Sequence, residues 1–142
     1  MSLQAFCEKH AVTISPERTI AEACWLMKDK KIGCLVVESH GKLCGILTDR
    51  DIVLKVTGED KEPMETMVEE VMTRDPVRIS INRSIRDLVS LMHTRGVRRV
   101  PIVDGSETIL GMVTMDDLIE LLSDELSELG RLFSEKLSTE ST

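Results

Sequence analysis

Apolar residues recur at helical spacing in two separate stretches of the chain. The positions follow the order i, i+3, i+4, i+7, and they are Ile20, Ala23, Cys24 and Met27 in the first stretch and Ile85, Leu88, Val89 and Met92 in the second. This spacing places four apolar side chains on one face of a helix. A capping signal precedes each stretch, at Thr19-x-x-Glu22 and at Ser84-x-x-Asp87. The pattern therefore predicts two helices, each with its apolar stripe in a hydrophobic core.

Short apolar segments that are typical of strands surround each predicted helix. One alternating segment precedes the helix and two follow it, separated by a turn at Gly41 or at Asp104-Gly105. The predicted strands contain Val12 and Ile14, Leu35 to Val37, and Leu43 to Leu47 in the first stretch, and Val77 and Ile79, Val100 to Val103, and Ile109 to Val113 in the second. A last helix begins at Thr48 or at Thr114. Each stretch thus predicts a β-α-β-β-α unit of the α+β class with a three-stranded sheet.

The two predicted units are copies of one sequence. Identical residues recur at a displacement of 65 positions, which becomes 66 after a one-residue insertion in a turn. The matching pairs are Val12/Val77, Ile14/Ile79, Ser15/Ser80, Arg18/Arg83, Ile20/Ile85, Leu26/Leu91, Met27/Met92, Gly45/Gly111, Thr48/Thr114 and Asp51/Asp117. Because the interval is longer than a solenoid unit, we expect two small domains that pack face to face.

The duplication also sets the expected boundaries. We expect a first domain over residues 1–58, a linker over 59–70, a second domain over 71–123, and a C-terminal helix with a frayed tail over 124–142. Gly58 is a candidate helix C-cap, and a short helix is expected from Met64 to Met72.

The C-terminal segment carries an apolar seam. Its residues, at spacings of 3, 4, 3 and 4, are Ile119, Leu122, Leu126, Leu129 and Phe133. This spacing suits a helical partner, and the alternative that the helix folds back on its own domain is equally open. Gly130 interrupts the seam at a cost of about 1 kcal/mol relative to alanine.

Composition narrows the classes of function. The chain has 142 residues, a formal net charge of −7, and only one Trp, two Phe and no Tyr. Nucleic-acid binding is disfavoured, because phosphate backbones select clustered cations and bases stack on aromatic rings. Uncharged segments, such as Ile32 to Val37, are too short for a membrane span, and Met1 to His10 lacks the apolar region of a signal peptide. We therefore expect a soluble, cytoplasmic protein with no membrane partner.

Cysteine and histidine positions argue against metal sites and catalysis. The four cysteines, which form no C-x-x-C pair and are expected to be reduced thiols, are Cys7, Cys24, Cys34 and Cys44. The histidines are His10, His40 and His93, at an end, in a turn and on a helix, with no nucleophile at catalytic spacing. A P-loop and a zinc-ligand pattern are absent from the sequence, and Cys7-x-x-His10 is only half of a metal site.

Two segments at equivalent positions resemble a known signature. Gly45-Ile-Leu-Thr-Asp-Arg-Asp51 and Gly111-Met-Val-Thr-Met-Asp-Asp117 resemble the terminal signature of the CBS domain, named after cystathionine β-synthase. Val71-Met-Thr-Arg-Asp-Pro76 resembles the segment that opens such a domain, and Val97 to Asp104 resembles its middle strand. The resemblance covers the chain from about Ala11 to Leu122. It implies a tandem CBS pair, or Bateman module, whose copies are related by a pseudo-twofold axis.

The resemblance also implies a function. Such pairs are regulatory sensors that bind AMP, ADP, ATP, NAD or S-adenosylmethionine in clefts between the copies, with no other cofactor required. In the family pattern, the Asp that ends the signature takes the ribose hydroxyls, and the Thr three residues earlier lies by the phosphates. Carried over to this chain, these residues are Asp51 and Thr48 in one site and Asp117 and Thr114 in the other.

The chemistry of these residues agrees with the resemblance but has an alternative. A carboxylate accepts two hydrogen bonds from a vicinal diol, and a helix N-terminus offers free N–H groups and a positive dipole end to a phosphate. The same T-x-x-D spacing is also a helix cap, in which Thr caps the helix and Asp answers its dipole. Capping and ligand contact can coexist in the same residues.

The two expected sites differ in charge. Arg50 lies in the first signature, whereas the second carries Asp116, whose charge opposes a phosphate. We therefore expect the Asp51 site to prefer nucleotides with several phosphates. Arg98 and Arg99 compensate in the second copy, and the resemblance places Arg99 nearer the phosphates, although a solvated strand start or a dimer contact is an equal alternative for the pair. The resemblance further implies that the base rests against apolar residues of the first strands, which are Val12, Ile14, Val77 and Ile79.

The expected partners follow from these observations. The first copy lacks the V-M-T-x-D-P lead, and Met1 to His10 is a poor substitute, so the first site lacks part of a wall or the chain is a fragment of a longer protein. We expect a homodimer, because each unit buries only one face of its sheet and leaves apolar helices exposed. An effector protein or a fused domain is a further expected partner. The alternative function is a non-catalytic dimerisation or scaffold module with no small-molecule ligand.

Overall fold

The computed structural model describes residues 2–7 and 11–140. After a short 3-10 helix, Leu3–Phe6, the first unit consists of β1 Thr13–Ile14, α1 Ile20–Lys30, β2 Cys34–Ser39, β3 Lys42–Thr48 and α2 Asp49–Lys55. The connection contains a 3-10 turn Thr57–Glu59, α3 Val68–Val71 and β4 Thr73–Arg74. The second unit consists of β5 Ile79–Ser80, α4 Ile85–Arg95, β6 Arg99–Val103, β7 Ile109–Thr114 and α5 Met115–Glu140. The α+β class and the repeated β-α-β-β-α order are confirmed.

The two sheets repeat the same pairing. In each unit the first strand runs parallel to the second, which pairs antiparallel with the third. Gly45 lies opposite Val37 in the first sheet, and Gly111 lies opposite Ile102 in the second, with a bulge directly after each partner. Strand β4 pairs with β3 and gives the first sheet a fourth strand.

The main helices begin and end at equivalent residues. The Thr19 hydroxyl accepts from the Glu22 N–H at 3.2 Å, and the Ser84 hydroxyl accepts from the Asp87 N–H at 3.0 Å. Both helices end in the left-handed region, α1 at Lys31 (φ 56°) and α4 at Gly96 (φ 63°). The capping signals in the sequence therefore locate the helix starts correctly.

Each unit has its own core, and both predicted helical stripes contribute to it. The stripe residues that are buried are Ile20, Ala23 and Met27 in the first core and Ile85, Leu88 and Met92 in the second. The prediction that Val89 is a core residue is wrong, because its side chain is 45% exposed. Val89 therefore lies on the side of α4 that the second core does not cover.

The segment that leads into each unit packs on the other unit. Leu3 and Phe6, which precede the first unit, are buried in the second core, whereas Val68 and Val71 are buried in the first core. The bridge between Ser2 and Ser84 has its counterpart in the bridge between Met67 and Thr19, at the displacement of 65 residues. Residues 2–7 thus occupy the place that α3 takes in the other copy, while Glu8 to His10 lie outside the described residues.

The last helix is longer than its domain requires. Helix α5 runs without interruption through Gly130 to Glu140, and Ser141 and Thr142 of the expected frayed tail lie outside the described residues. The alternative that it folds back on its own domain is wrong, because Leu126, Leu129 and Phe133 are 69%, 62% and 64% exposed. These exposed fractions mean that no described element of the chain covers these side chains. None of the described helices is long and apolar enough to cross a membrane.

Candidate functional site

A cavity of about 600 Å³ lies between the two units. Its described wall combines the end of β3, the connection before β5, the start of β6, and the junction of β7 with α5. The lining residues are Ile46, Thr48, Thr73, Pro76, Val77, Val97, Arg98, Arg99, Thr114, Met115 and Asp116. This volume lies within the usual range for small-molecule sites, and the wall combines five apolar residues with three threonines and three charged residues.

The duplication explains why both signature threonines reach the cavity. Thr48 and Thr114 are equivalent residues, and each is the N-cap of the helix that follows its last strand. An equivalent backbone hydrogen bond fixes each helix start against the neighbouring strand. The Asp49 N–H donates to the Gly33 carbonyl at 2.9 Å, and the Met115 N–H donates to the Arg98 carbonyl at 2.8 Å. The second of these bonds holds the start of β6, with its two arginines, beside Thr114.

The signature aspartates form capping boxes with the threonines. The Asp51 N–H donates to Thr48 Oγ1 at 3.1 Å, and the Thr48 N–H donates to Asp51 Oδ2 at 3.0 Å. The equivalent distances between Asp117 and Thr114 are 3.1 and 3.4 Å. Asp51 Oδ1 also lies 3.4 Å from Lys55 Nζ. The capping role left open by the sequence is confirmed for both residues, and their contact with ribose stays a prediction.

The predicted site residues divide into two groups by position. Thr48, Thr114, Arg99 and Val77 line the inter-repeat cavity. The predicted residues outside its described wall are Arg50, Asp51, Asp117, Val12, Ile14 and Ile79. Ile14 and Ile79 are buried in the two cores and Val12 packs against the first, whereas Asp117 borders a separate cleft beside Phe6.

The cavity has a cationic end. Arg98 and Arg99 are exposed, and neither forms a salt bridge or side-chain hydrogen bond with a described residue. Asp116 lies in the same wall, so the charged side chains of the wall sum to +1. Two uncommitted guanidinium groups at the mouth of an apolar cavity are suited to an anionic group on a bound molecule.

The equivalent position in the first unit has the opposite character. A Cβ atom at Gly33 would lie 2.6 Å from Asp49 Oδ2, so the Asp49 carboxylate occupies the space above the residue equivalent to Arg98. Burial raises the pKa of the neighbouring Cys34 thiol; the charge of Arg99 partly opposes this effect, and the carboxylates of Asp49 and Asp51 add to it. This side therefore combines a buried thiol with two carboxylates and is less suited to phosphate.

The sequence pattern does not predict several of the residues that line the cavity. These residues are Ile46, Thr73, Pro76, Val97 and Met115. A signal existed for Pro76, because it closes the Val-Met-Thr-Arg-Asp-Pro segment that resembles a domain opening. Within the described part of the chain, no group of three or more His, Cys, Asp or Glu side chains is arranged to hold a metal ion. His10, the second half of Cys7-x-x-His10, lies outside that part.

Comparisons with known proteins agree with the duplication. The family model described as the CBS domain matches residues 3–58 and 68–124. The CBS domain-containing protein YhcV of Bacillus subtilis is 40% identical over 114 residues, which are 80% of this chain and 80% of YhcV. Protein MK0525 of Methanopyrus kandleri is 31% identical over 122 residues, and this chain spans 85% of its own length but 62% of that relative.

A solved structure provides a liganded relative. The CBS domain pair of protein MJ0100, in complex with 5'-methylthioadenosine and S-adenosyl-L-methionine, superposes with a TM-score of 0.76 at 26% sequence identity. The superposition covers 88% of this chain and 98% of that one. The similarity therefore extends over both units and their relative placement.

Proposed function

The chain belongs to the CBS domain family, and from that premise we propose that it is a regulatory sensor that binds an adenosine-containing ligand between its two repeats. The observation that carries the proposal is the cavity of about 600 Å³ in which an apolar wall ends at Arg98 and Arg99. A related CBS pair, that of MJ0100, binds two adenosine-containing molecules. The candidate ligands are AMP, ADP, ATP, NAD and S-adenosylmethionine.

The wall matches the parts of a nucleotide. Ile46, Val77 and Val97 supply an apolar surface for the base, whose burial removes apolar area from water. Arg98 and Arg99 supply charged donors for a phosphate, and the N-terminus of α5 at Thr114 adds a positive dipole end. The base and the phosphate of the ligand therefore each have a complementary part of the cavity wall.

Charge favours a short phosphate group in this cavity. Asp116 lies in the same wall as the two arginines and opposes each further negative charge that the ligand brings. We therefore propose that AMP binds more tightly here than ATP. At the equivalent strand start the first repeat has Gly33 and Cys34 in place of the two arginines, and the Asp49 carboxylate lies over Gly33. The sequence favoured the Asp51 site for several phosphates, but we now propose that the site containing Arg98 and Arg99 is the principal one.

The ribose contacts remain with the signature aspartates in this proposal. The carboxylates of Asp51 and Asp117 each accept a hydrogen bond from the backbone N–H of the capping threonine. A ribose diol would donate to the same carboxylate. A carboxylate has enough lone pairs for both contacts. Because both aspartates lie outside the described cavity wall, the proposed contact requires the carboxylate to turn toward the cavity.

The module acts on a partner and has no catalysis of its own in this proposal. Because both repeats and the connecting segment line one cavity, a ligand that binds there changes how the repeats pack against each other. An effector protein or a fused domain would respond to that change. We also propose that the chain is a homodimer, since large apolar side chains, including those of Trp25 and Val53, are exposed on its helices.

Calorimetric titration and thermal shift test the proposal. AMP, ADP, ATP, NAD and S-adenosylmethionine are compared with wild type and Arg99→Gln, and the matched control is Arg86→Gln, an exposed arginine on α4 outside the cavity wall. A ligand at 100 times its Kd should stabilise the fold by about 2.7 kcal/mol. We expect Arg99→Gln to weaken binding of AMP roughly 10-fold and Arg86→Gln to leave it unchanged. Absence of binding by all five compounds would support the scaffold alternative instead.

A further inference from the structure

A single arginine, Arg78, connects the cavity wall to a turn of the second repeat. It directly follows Pro76 and Val77, which line the cavity. Its Nε atom lies 2.8 Å from Glu107 Oε2, and its Nη1 atom lies 2.8 Å from Asp75 Oδ1. Nη1 also donates to the Pro76 carbonyl at 3.4 Å. Because a planar guanidinium presents its donors in fixed directions, it holds these groups in one arrangement.

Both carboxylate partners of Arg78 have a backbone conformation that residues with side chains rarely adopt. Asp75 has a φ of 46° and Glu107 has a φ of 65°, in the left-handed region. The residue equivalent to Glu107 in the first repeat is Gly41, with a φ of 81°, and glycine adopts this conformation without steric cost. The second repeat therefore has a glutamate where the first has a glycine. The ion pair with Arg78 accounts for this glutamate, since glycine would supply no carboxylate.

The first repeat lacks this ion pair at the equivalent positions. Thr13 stands in place of Arg78 and Gly41 in place of Glu107, so neither the cation nor the carboxylate is present there. The ion pair thus occurs in the repeat whose second strand begins with the two cavity arginines. This distribution connects it with the cavity and not with the fold that both repeats share.

We propose that Arg78 is a positioning residue for the ligand, which fixes the cavity-lining segment 73–77 against the turn at Glu107. Arg78 itself lies outside the described cavity wall. The turn is fixed to the first repeat, because the Leu43 N–H donates to the Glu107 carbonyl at 3.2 Å. One guanidinium therefore connects a wall of the cavity with the contact between the repeats. The inference rests on the proposed function, in which the ligand occupies this cavity.

Loss of these contacts should lower affinity indirectly. Strand β4 fixes the beginning of segment 73–77 to β3 at Thr73 and Arg74, whereas Arg78 fixes its end. Without Arg78, the end of the segment would adopt several arrangements, of which a fraction would match the ligand. The apparent dissociation constant rises in inverse proportion to that fraction, so a matching fraction of roughly 10–30% would weaken binding about 3- to 10-fold.

Calorimetric titration of AMP tests this role in a double-mutant cycle. Arg78→Gln and Glu107→Gly should each weaken AMP binding about 3- to 10-fold. Glycine keeps the φ of the turn, so a role of Glu107 in the turn alone would leave the affinity unchanged. The double variant should bind AMP like Arg78→Gln, because both substitutions remove the same pair. Unchanged affinity in either single variant, or losses that multiply in the double variant, would overturn the positioning role.

The matched control for this titration is Arg83→Gln. Arg83 also pairs with a carboxylate, that of Asp87, but this pair lies outside the cavity wall. Its removal should change AMP affinity by less than about 2-fold, because an exposed ion pair contributes little to stability. An equal loss of affinity in Arg83→Gln and Arg78→Gln would contradict a specific role of Arg78.

Hydrogen–deuterium exchange of the full chain without nucleotide provides a readout that is independent of the ligand. In Arg78→Gln, the backbone amides of residues 73–77 should exchange about 3- to 10-fold faster, whereas those of α4 should keep the wild-type rate. If AMP does not bind to wild type, the proposed function fails and exchange alone decides the inference. Faster exchange confined to residues 73–77 supports it. Unchanged exchange there, or faster exchange throughout the chain, overturns it.

Discussion

Lys42 and Thr108 form an antiparallel bridge where the turns of the two repeats meet. The two residues are 66 positions apart and are therefore equivalent in the duplication, so the bridge lies on the pseudo-twofold axis. The Leu43 N–H donates to the Glu107 carbonyl at 3.2 Å, and Glu107 in turn pairs with Arg78 at 2.8 Å. The turns of the two sheets are thus joined by backbone contacts, and a change in one repeat has a direct path to the other.

Substitution of the signature aspartates by asparagine should distinguish their role in helix capping from a role in ligand binding. Asp51→Asn and Asp117→Asn should each change the melting temperature little, because the side-chain oxygen of asparagine can still accept the hydrogen bond from the N–H of the capping threonine. Loss of a charged hydrogen bond to the ribose should lower nucleotide affinity roughly 10- to 100-fold. Calorimetric titration beside thermal unfolding provides both readouts. Unchanged affinity in both variants would leave the carboxylates as caps alone, and a loss in one variant would identify a single working site.

Truncation of Leu3, which precedes the first repeat but is buried in the second core, should destabilise the second repeat. Leu3 is fully buried in the second core, so Leu3→Ala should lower the free energy of unfolding by about 2–5 kcal/mol. Gln4→Ala, at the exposed neighbouring position, is the matched control and should have an effect below about 0.5 kcal/mol. Urea denaturation followed by circular dichroism measures both. Equal stability of the two variants would show that the N-terminal segment does not complete that core in solution.

The equivalent glycines of the two signatures should differ in their tolerance of alanine. A Cβ atom at Gly111 would lie 2.8 Å from the Phe6 carbonyl oxygen and 3.0 Å from Cys7 Cα, which are backbone atoms. Gly111→Ala should therefore displace the N-terminal segment and cost about 1–3 kcal/mol. At Gly45 the added carbon would meet the Met72 side chain, with its sulfur at 2.5 Å, and one backbone atom, the Thr73 carbonyl oxygen at 3.0 Å. Because the nearest contact is with a side chain that can rotate, Gly45→Ala should cost less.

Thermal unfolding compares these two variants with Gly105→Ala, at a position with no atom within 4 Å of the added carbon. A larger loss for Gly45→Ala than for Gly111→Ala would contradict the packing described here.

The cap of α4 should make stability depend on acid pH. Hydrogen bonds from Ser84, through its backbone N–H and its hydroxyl, lower the pKa of Asp87 below its ordinary value of 3.8, with a smaller contribution from the charge of Arg83. A carboxyl group with a lowered pKa in the folded state stabilises the fold above the unfolded pKa, and this stabilisation disappears as the pH falls through the folded pKa.

Asp87→Ala should accordingly destabilise the protein at pH 7, and the difference from wild type should shrink below about pH 4. Urea denaturation of both proteins at pH 7 and pH 3 checks this expectation. A difference that is the same at both pH values would mean that the charge of Asp87 does not support the cap.

Local patterns in the sequence determined the repeated unit. The displacement of 65 and then 66 residues, the stripes of Ile20 and Ile85, and the capping residues Thr19 and Ser84 depend on neighbours within a few positions, and the structure confirms each of them. Val89 is an exception, because it belongs to the predicted apolar stripe but its side chain is exposed. Helical spacing identifies a face, but the packing of the neighbouring elements decides which edge of that face is covered.

Only the tertiary structure decided what lies between the repeats. The segment that precedes each repeat packs on the other repeat, so Leu3 lies in the second core and Val68 in the first. No local sequence pattern distinguishes this packing from packing on the repeat that follows the segment. The same holds for the cavity, in which Thr48 and Arg99 come together from positions 51 residues apart. Such contacts depend on how two already folded surfaces fit, because burial between units is a property of their joint shape and not of either sequence segment alone.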